Sequence, residues 1–181
     1  MRNNLQNIGV LGGSFDPPHK GHLYVSNQSI KILKLKKVIW AITKKNPLKN
    51  EPFFSFKLRK EMCLKIIKGN KKIQLKYYED KLKSKNSMNL VKFLKKRNRY
   101  NIFFIIGSDN LINFHKWKSY KELLKMTNLV VFSRKGFDTK AKKSAIMKKL
   151  NNKNITFFKK LRINVSSTRL RNKIINGSKR N

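Results

Sequence analysis

Two histidines, His19 and His22, stand three residues apart where a glycine- and proline-rich segment ends. At the start of a helix, this spacing places both side chains on one face. An imidazole ring, neutral or charged, can donate a hydrogen bond to an anionic oxygen. Nothing in the sequence looks like a covalent nucleophile with an adjacent base. We therefore expect the pair to bind phosphate oxygens rather than to assist a covalent intermediate.

The residues before the histidines favour the same chemistry. Residues 8–11 are apolar and read as a buried strand, and Gly12 and Gly13 then leave room for a large group to approach. Residues 16–18, Asp-Pro-Pro, form a stiff turn, and a helical pattern follows over residues 23–35. A strand, a glycine turn and a helix N-terminus in this order suit a phosphate.

A second candidate phosphate site lies near the other end of the chain. Ser166, Ser167 and Thr168 precede a helical pattern that runs to Ile175 and stops at Gly177. Their hydroxyls, the free backbone N–H groups and an arginine at position 171 can together hold phosphate. A single site formed by both segments requires the fold to bring them together.

Length and composition restrict the class of protein. A chain of 181 residues is most simply one domain, residues 1–181. It has no apolar run of about 20 residues, so we expect no membrane span. Residues 1–7 are polar, and Cys63 is the single cysteine, which excludes an internal disulfide and a multi-cysteine zinc site. These points favour the cytoplasm.

The formal net charge of +37 has two explanations. A basic surface attracts nucleic-acid backbones. The cations are mostly lysines spread along the whole chain, however, and the sequence is also rich in asparagine and isoleucine. We prefer a compositional bias to a binding face, because a recognition surface would favour clustered arginine. Nucleic-acid binding is then at most non-specific.

Apolar segments of strand length alternate with helical patterns, which predicts an α/β fold with a parallel pairing of the first two strands. Helices are predicted over residues 55–68, 86–94 and 140–150, and the candidate strands are residues 8–11, 38–43, 73–78, 102–106, 128–133 and 155–158. Ligands of parallel sheets bind beyond the carboxyl ends of the strands. The glycine turn, the segment after residue 43 and the segment after residue 106 all lie at such ends.

The segment from Gly12 to His22 resembles the GGxFDPxHxGH signature of the HxGH nucleotidylyltransferases, and it is most similar to bacterial nicotinate-nucleotide adenylyltransferases. Residues 166–171, SSTRLR, resemble the ISSTxIR motif of the same enzymes. The resemblance implies a Rossmann-like, doubly wound parallel sheet with helices on both faces. It also implies adenylyl transfer from ATP to nicotinate mononucleotide, giving deamido-NAD and pyrophosphate, a step of NAD biosynthesis, usually with Mg²⁺.

The resemblance also implies binding residues. For ATP they are Gly12, Gly13, Ser14, Phe15, His19, His22, Gly107, Asp109, Arg134, Ser166, Ser167, Thr168 and Arg171. For nicotinate mononucleotide they are Asn46, Lys49, Asn86, Asp109 and Trp117. The catalytic residues are His19, His22 and Arg171: His22 at the α-phosphate, the other two at the β- and γ-phosphates. Without a visible metal-ligand cluster, we expect Mg²⁺ to be held by ATP phosphates and water.

Ordinary structural roles, with no contact to a ligand, are alternatives for some of these residues. Trp117 at helical spacing is equally suited to the core, Asp109 to a helix N-cap, and Arg134 to a solvated turn. Arg59, in a segment that resembles the RxxM helix of these enzymes, is expected to be solvated unless it points into the cleft.

One segment departs from the resemblance. Residues 86–90 replace a YTxDTL-like run, so the preference for nicotinate over nicotinamide mononucleotide stays open, as does the oligomeric state. Phosphopantetheine adenylyltransferase is the alternative enzyme, although it typically has threonine at the position of His19. From another class, the alternative is a basic RNA-binding protein on the same scaffold.

Overall fold

The computed structural model describes residues 5–97, 99–149, 155–159 and 166–178. Its six strands form one parallel sheet in the order β3-β2-β1-β4-β5-β6. The strands are β1 (Gln6–Gly13), β2 (Lys37–Ile42), β3 (Ile73–Lys76), β4 (Tyr100–Gly107), β5 (Asn128–Phe132) and β6 (Ile155–Phe158). Strands β2 and β3 lie in succession on one side of β1, and β4, β5 and β6 lie in succession on its other side. This is the doubly wound order, so the predicted fold class is confirmed.

Helices connect the strands. They are α1 (Lys20–Ile32), α2 (Phe56–Ile67), α3 (Glu79–Leu82), α4 (Ser87–Arg97), α5 (Ser108–Ile112), α6 (Tyr120–Met126), α7 (Asp138–Lys142), α8 (Ala145–Lys149) and α9 (Ser167–Ser178). A short 3₁₀ helix, Phe114–Lys116, lies between α5 and α6. No helix within the described ranges is long and apolar enough to cross a membrane.

The sheet separates two apolar cores. Along β4, Phe104 and Ile106 join a core with side chains of α4, α5 and α6, whereas Ile105 joins a core with α1 and α2. Strands buried on both faces need continuous apolar sequence, which is what β4 has. At Gly9 in β1, an added Cβ would lie 2.9 Å from the side chains of Ile105, Leu35 and Val38. Any larger residue at position 9 would therefore have to displace side chains of the second core.

One predicted helix is wrong. The pattern over residues 140–150 predicts one helix, but the structure has two, α7 and α8, separated at Lys143 and Ser144. Ala141 and Ile146 are both buried in the same core. Five residues apart, they would face different directions on a continuous helix, so the break lets both reach the core. Residue 150 lies outside the described residues.

The remaining differences concern the ends of elements. The glycine turn predicted after residue 11 is wrong, because β1 continues through Gly12 and Gly13, which pair with Ala41 and Ile42 of β2. Helix α1 begins at Lys20 rather than at residue 23, because His19 serves as its N-cap. Helix α9 continues beyond the predicted stop at Gly177, to Ser178, and α3 was not predicted from the sequence. Residue 165, which precedes the SSTRLR motif, lies outside the described residues.

Candidate active site

A cleft of about 1390 Å³ opens beyond the carboxyl ends of β1 and β4. These neighbouring strands mark the point where the sheet order reverses, the usual ligand site of doubly wound folds. Every residue that the sequence nominated lines this cleft: Gly12, Gly13, Ser14, Phe15, His19, His22, Asn46, Lys49, Asn86, Gly107, Asp109, Trp117, Arg134, Ser166, Ser167, Thr168 and Arg171. Their positions are therefore mutually consistent, while the role of each stays a prediction.

The two candidate phosphate segments meet directly. The Ser167 hydroxyl donates a hydrogen bond of 2.9 Å to the Pro17 carbonyl oxygen. Arg171 Nη1 donates to the Asp16 carbonyl oxygen at 2.5 Å and lies 3.4 Å from the Asp16 carboxylate. The predicted proximity of segments at opposite ends of the chain is thus confirmed.

The histidine pair is held by reciprocal bonds at the start of α1. His19 Nδ1 accepts from the Gly21 N–H at 3.1 Å, and His22 Nδ1 accepts from the His19 N–H at 3.1 Å. The ring centroids are 3.9 Å apart. Since both Nδ1 atoms accept hydrogen bonds, the neutral rings carry their protons on Nε2. Each ring can therefore offer an Nε2–H donor to a ligand.

Electrostatics keep both rings neutral. Burial, with the nearby Arg134 cation, lowers the pKa of His19 from 6.5 to about 4. Burial also lowers the pKa of His22 well below its ordinary value, and His19, Arg134 and Lys49 lower it further. At neutral pH the pair thus donates hydrogen bonds without adding positive charge to the cleft.

Aromatic packing supports His22 from behind. Phe15 stacks on Trp40 with centroids 4.8 Å apart, and the His22 ring lies 4.9 Å from Phe15. Trp40 Nε1 donates to the Ser26 hydroxyl, which in turn donates to the His22 carbonyl oxygen, both at 2.8 Å. We did not predict Trp40 and Ser26 from the sequence, because nothing in their spacing distinguishes them from ordinary core residues.

Asp109 forms a charged pair across the cleft wall. Its Oδ2 accepts from Arg134 Nη1 at 2.6 Å, and the Ser108 hydroxyl accepts from the Arg134 N–H. Arg134 is therefore not a solvated turn residue. The N-cap of α5 is Gly107, so the N-cap explanation for Asp109 is wrong. Asp109 Oδ1 is buried without a hydrogen-bond partner among the described residues, which leaves an acceptor for a ligand.

The residues predicted for nicotinate mononucleotide make local contacts as well. Trp117 is half-buried and packs against Phe104 and Phe114, so it is both a core residue and part of the cleft wall. Asn86 Oδ1 accepts from the Met88 N–H at 2.9 Å. Asn46 Oδ1 likewise accepts from the Leu48 N–H at 2.9 Å. Both asparagines line the cleft, and Lys49, which also lines it, is exposed.

Arg59 was expected to be solvated, and this expectation is wrong. Its side chain is 1% exposed and donates hydrogen bonds to four backbone carbonyl groups, those of Ser14, Thr43, Lys44 and Phe54. A single arginine at helical spacing gives no sequence signal for such a role. Asp16 is a second buried residue whose contacts the sequence did not reveal. Its carboxylate accepts hydrogen bonds from the Phe53 and Phe54 N–H groups and pairs with Arg171.

The cleft offers little to a metal ion. Among the residues that the structure describes, no group of three histidine, cysteine, aspartate or glutamate side chains could hold one. Asp16 and Asp109, which both line the cleft, each pair with an arginine. The expectation that Mg²⁺ would be held by ATP stays a prediction.

Comparison with known proteins extends these observations. Residues 10–173 match the family described as cytidylyltransferase-like. A protein of Pelagibacter ubique, named a probable nicotinate-nucleotide adenylyltransferase, is 46% identical over 91% of this chain and 91% of its own length. The chain belongs to the nicotinate-nucleotide adenylyltransferase family. A second member, from Clostridium botulinum, is 36% identical over 95% of this chain and 88% of its own length.

Solved structures agree on the fold of this adenylyltransferase family. The Plasmodium falciparum nicotinic acid mononucleotide adenylyltransferase complexed with NaAD superimposes with a TM-score of 0.72, at 22% identity. The match covers 92% of this chain and 83% of the other. At that identity the likeness establishes the fold alone.

Proposed function

We propose that this protein transfers the adenylyl group of ATP to nicotinate mononucleotide, giving deamido-NAD and pyrophosphate. The observation that carries the proposal is the meeting of the histidine pair with Ser167 and Arg171 in one cleft. The close relative of 46% identity, whose name describes this activity, supports the choice of substrates.

The reaction is an in-line displacement at the α-phosphorus of ATP. A phosphate oxygen of nicotinate mononucleotide forms a bond to that phosphorus, and the bond to the bridging oxygen breaks. Pyrophosphate leaves with the electron pair. Such a step needs positioning and charge stabilisation more than covalent chemistry from the protein.

The residues of the cleft supply both contributions. His22 donates its Nε2–H to the α-phosphate, where negative charge develops in the transition state. His19 and Arg171 donate to the β- and γ-phosphates, and Ser166, Ser167 and Thr168 bind the phosphate tail. Gly12 and Gly13, at the end of β1, give clearance for the nucleotide.

We propose two features of the remaining site by the same reasoning. The unpartnered Asp109 Oδ1 accepts from a hydroxyl group of a bound nucleotide, and the half-buried Trp117 lies against the pyridine ring. Mg²⁺ would be held by the ATP phosphate oxygens and water, and it would neutralise part of the phosphate charge.

Pyrophosphate release tests the proposal. The purified protein is incubated with ATP and, in parallel, with nicotinate mononucleotide, nicotinamide mononucleotide or phosphopantetheine as the acceptor. We expect rapid release with nicotinate mononucleotide and formation of deamido-NAD in equal amount. Preference for phosphopantetheine, or ATP-insensitive RNA binding without pyrophosphate release, would replace the proposed function. We propose the cytoplasm as the site of the reaction.

A further inference from the structure

The side chain of Arg59 is buried but does not line the cleft. Its Nε donates to the Phe54 carbonyl oxygen at 3.1 Å, and Nη1 donates to those of Ser14 at 2.5 Å and Thr43 at 2.9 Å. Nη2 donates to the Lys44 carbonyl oxygen at 2.8 Å. One guanidinium group on α2 therefore joins Ser14, directly after β1, to the segment after β2.

Asp16 makes the complementary set of contacts. Its carboxylate accepts from the Phe53 N–H at 2.8 Å and from the Phe54 N–H at 2.9 Å. Phe54 is thus fixed on both sides, its N–H by Asp16 and its carbonyl oxygen by Arg59. Asp16 also contacts Arg171, so the same network reaches the start of α9.

Three of the carbonyl groups that Arg59 binds lie near the mouth of the cleft, where an anionic ligand would enter. Ser14, Thr43 and Lys44 follow the ends of β1 and β2, where the cleft opens. A carbonyl oxygen carries partial negative charge, and one that faced a triphosphate would repel it. Hydrogen bonding to Arg59 keeps these oxygens on the α2 side.

We propose that Arg59 and Asp16 are positioning residues for adenylyl transfer, acting together through Phe54. They hold residues 12–19 against residues 43–54 at the spacing that the triphosphate requires. This inference rests on the proposed function, since it assigns the network to the same cleft. Arg59 does not line the cleft, and the Asp16 carboxylate, which does, is engaged by the N–H groups of Phe53 and Phe54 and by Arg171.

The geometry requires arginine rather than any cation. Four carbonyl groups are satisfied by a planar fork with five N–H donors, whereas lysine has three donors on one nitrogen. We expect Arg59→Lys to keep the charge but to lose several of the contacts. Misplacement of a loop by about 1 Å can reduce turnover by about 100-fold. We therefore expect kcat/KM for ATP to fall about 10- to 100-fold.

The test compares Arg59→Lys, Arg59→Ala and Asp16→Asn with the wild type, and Arg97→Lys serves as the control. Arg97 is an exposed arginine on α4 that does not line the cleft. Steady-state pyrophosphate release gives kcat and KM for ATP, and circular dichroism establishes the folded fraction at the assay temperature. We expect a raised KM for ATP and a lowered kcat in both Arg59 variants and in Asp16→Asn, with Arg97→Lys within twofold of the wild type.

Two further measurements separate positioning from simple stabilisation. Added guanidinium ion should restore part of the kcat of Arg59→Ala. The double variant of Arg59→Lys and Asp16→Asn should lose less activity than the product of the single losses, because both act through Phe54. A loss of kcat that merely follows the folded fraction, with KM for ATP unchanged, would overturn the proposal, as would a fully active Arg59→Lys.

The remaining outcomes are also decisive. If the Arg59 variants do not fold, Asp16→Asn decides the matter, and unchanged kinetic constants in that variant would reject the inference. An inactive wild type would reject the proposed function instead. In that case calorimetric titration of ATP into the same variants tests the positioning role, and equal affinities would reject it too.

Discussion

In the histidine half of the cleft, formed by His19, His22, Ser167 and Arg171, the side chains are held by bonds to the protein's own backbone. In the tryptophan half, formed by Asn86, Lys116, Trp117 and Lys118, the Asn86 side chain is held in the same way, but the two lysines are exposed and the tryptophan is half-buried. We therefore expect the triphosphate to meet a preorganised surface and the acceptor nucleotide to meet one that is more open to solvent. Changes in the first half should mainly lower kcat, and changes in the second should mainly raise KM for the acceptor.

The largest effect is expected in the histidine half. His22→Ala removes a fixed donor at the α-phosphate, and the loss of one such donor costs about 100-fold or more in kcat. Rapid-quench or steady-state assays measure this, and circular dichroism of the variant provides the folding control. An unchanged kcat would contradict the role of His22 and with it the contrast between the halves.

An intermediate effect is expected for Asp109→Asn. The charged pair with Arg134 is weakened, and a hydrogen bond to a charged group contributes about 1.5–3 kcal/mol. We expect kcat/KM to fall about 10-fold or more, measured with each substrate varied in turn. Ser108 is the neighbouring control: Ser108→Ala keeps the carboxylate and should have the smaller effect. Equal losses in both variants would contradict a ligand contact by Asp109.

A smaller effect is expected in the tryptophan half. Trp117→Phe reduces the aromatic area facing the cleft, and an aromatic contact contributes about 0.5–1.5 kcal/mol beyond burial. KM for nicotinate mononucleotide should rise about 3- to 10-fold while kcat stays within about twofold. A variant that instead lost kcat with an unchanged acceptor KM would place Trp117 with the histidine half.

The last prediction concerns stability and pH rather than turnover. His19 has a pKa of about 4 in the folded protein against an ordinary value of 6.5, so the unfolded chain binds protons first on acidification. The free energy of unfolding should therefore decrease as the pH falls from 6.5 towards 4. Thermal melting at several pH values measures the slope. His19→Asn, which keeps a capping oxygen, should make the slope shallower and leave the part that is due to His22, and an unaltered slope would assign the effect to other groups.

The sequence alone was a good guide to the sheet and to the two phosphate segments, for a physical reason. Strands such as β4 are continuous apolar runs, and residues 12–22 and the SSTRLR segment are local patterns with chemical meaning. The glycine pair itself was wrongly expected to end the first strand, because strand pairing with β2 extends through it. The contacts of Arg59 depend on where three backbone segments meet in space, which no local pattern encodes. The sequence does not reveal the break between α7 and α8 either. That break depends on the burial of both Ala141 and Ile146, which is set by the rest of the core.

The bond from Ser167 to Pro17 joins residues 150 positions apart. During synthesis on the ribosome, Pro17 and α1 emerge long before α9 does. A nascent chain can therefore pair strands β1 to β5 while one wall of the nucleotide cleft is still missing. That wall is complete only once Ser167 and Arg171 have emerged and reached the segment at Asp16 and Pro17.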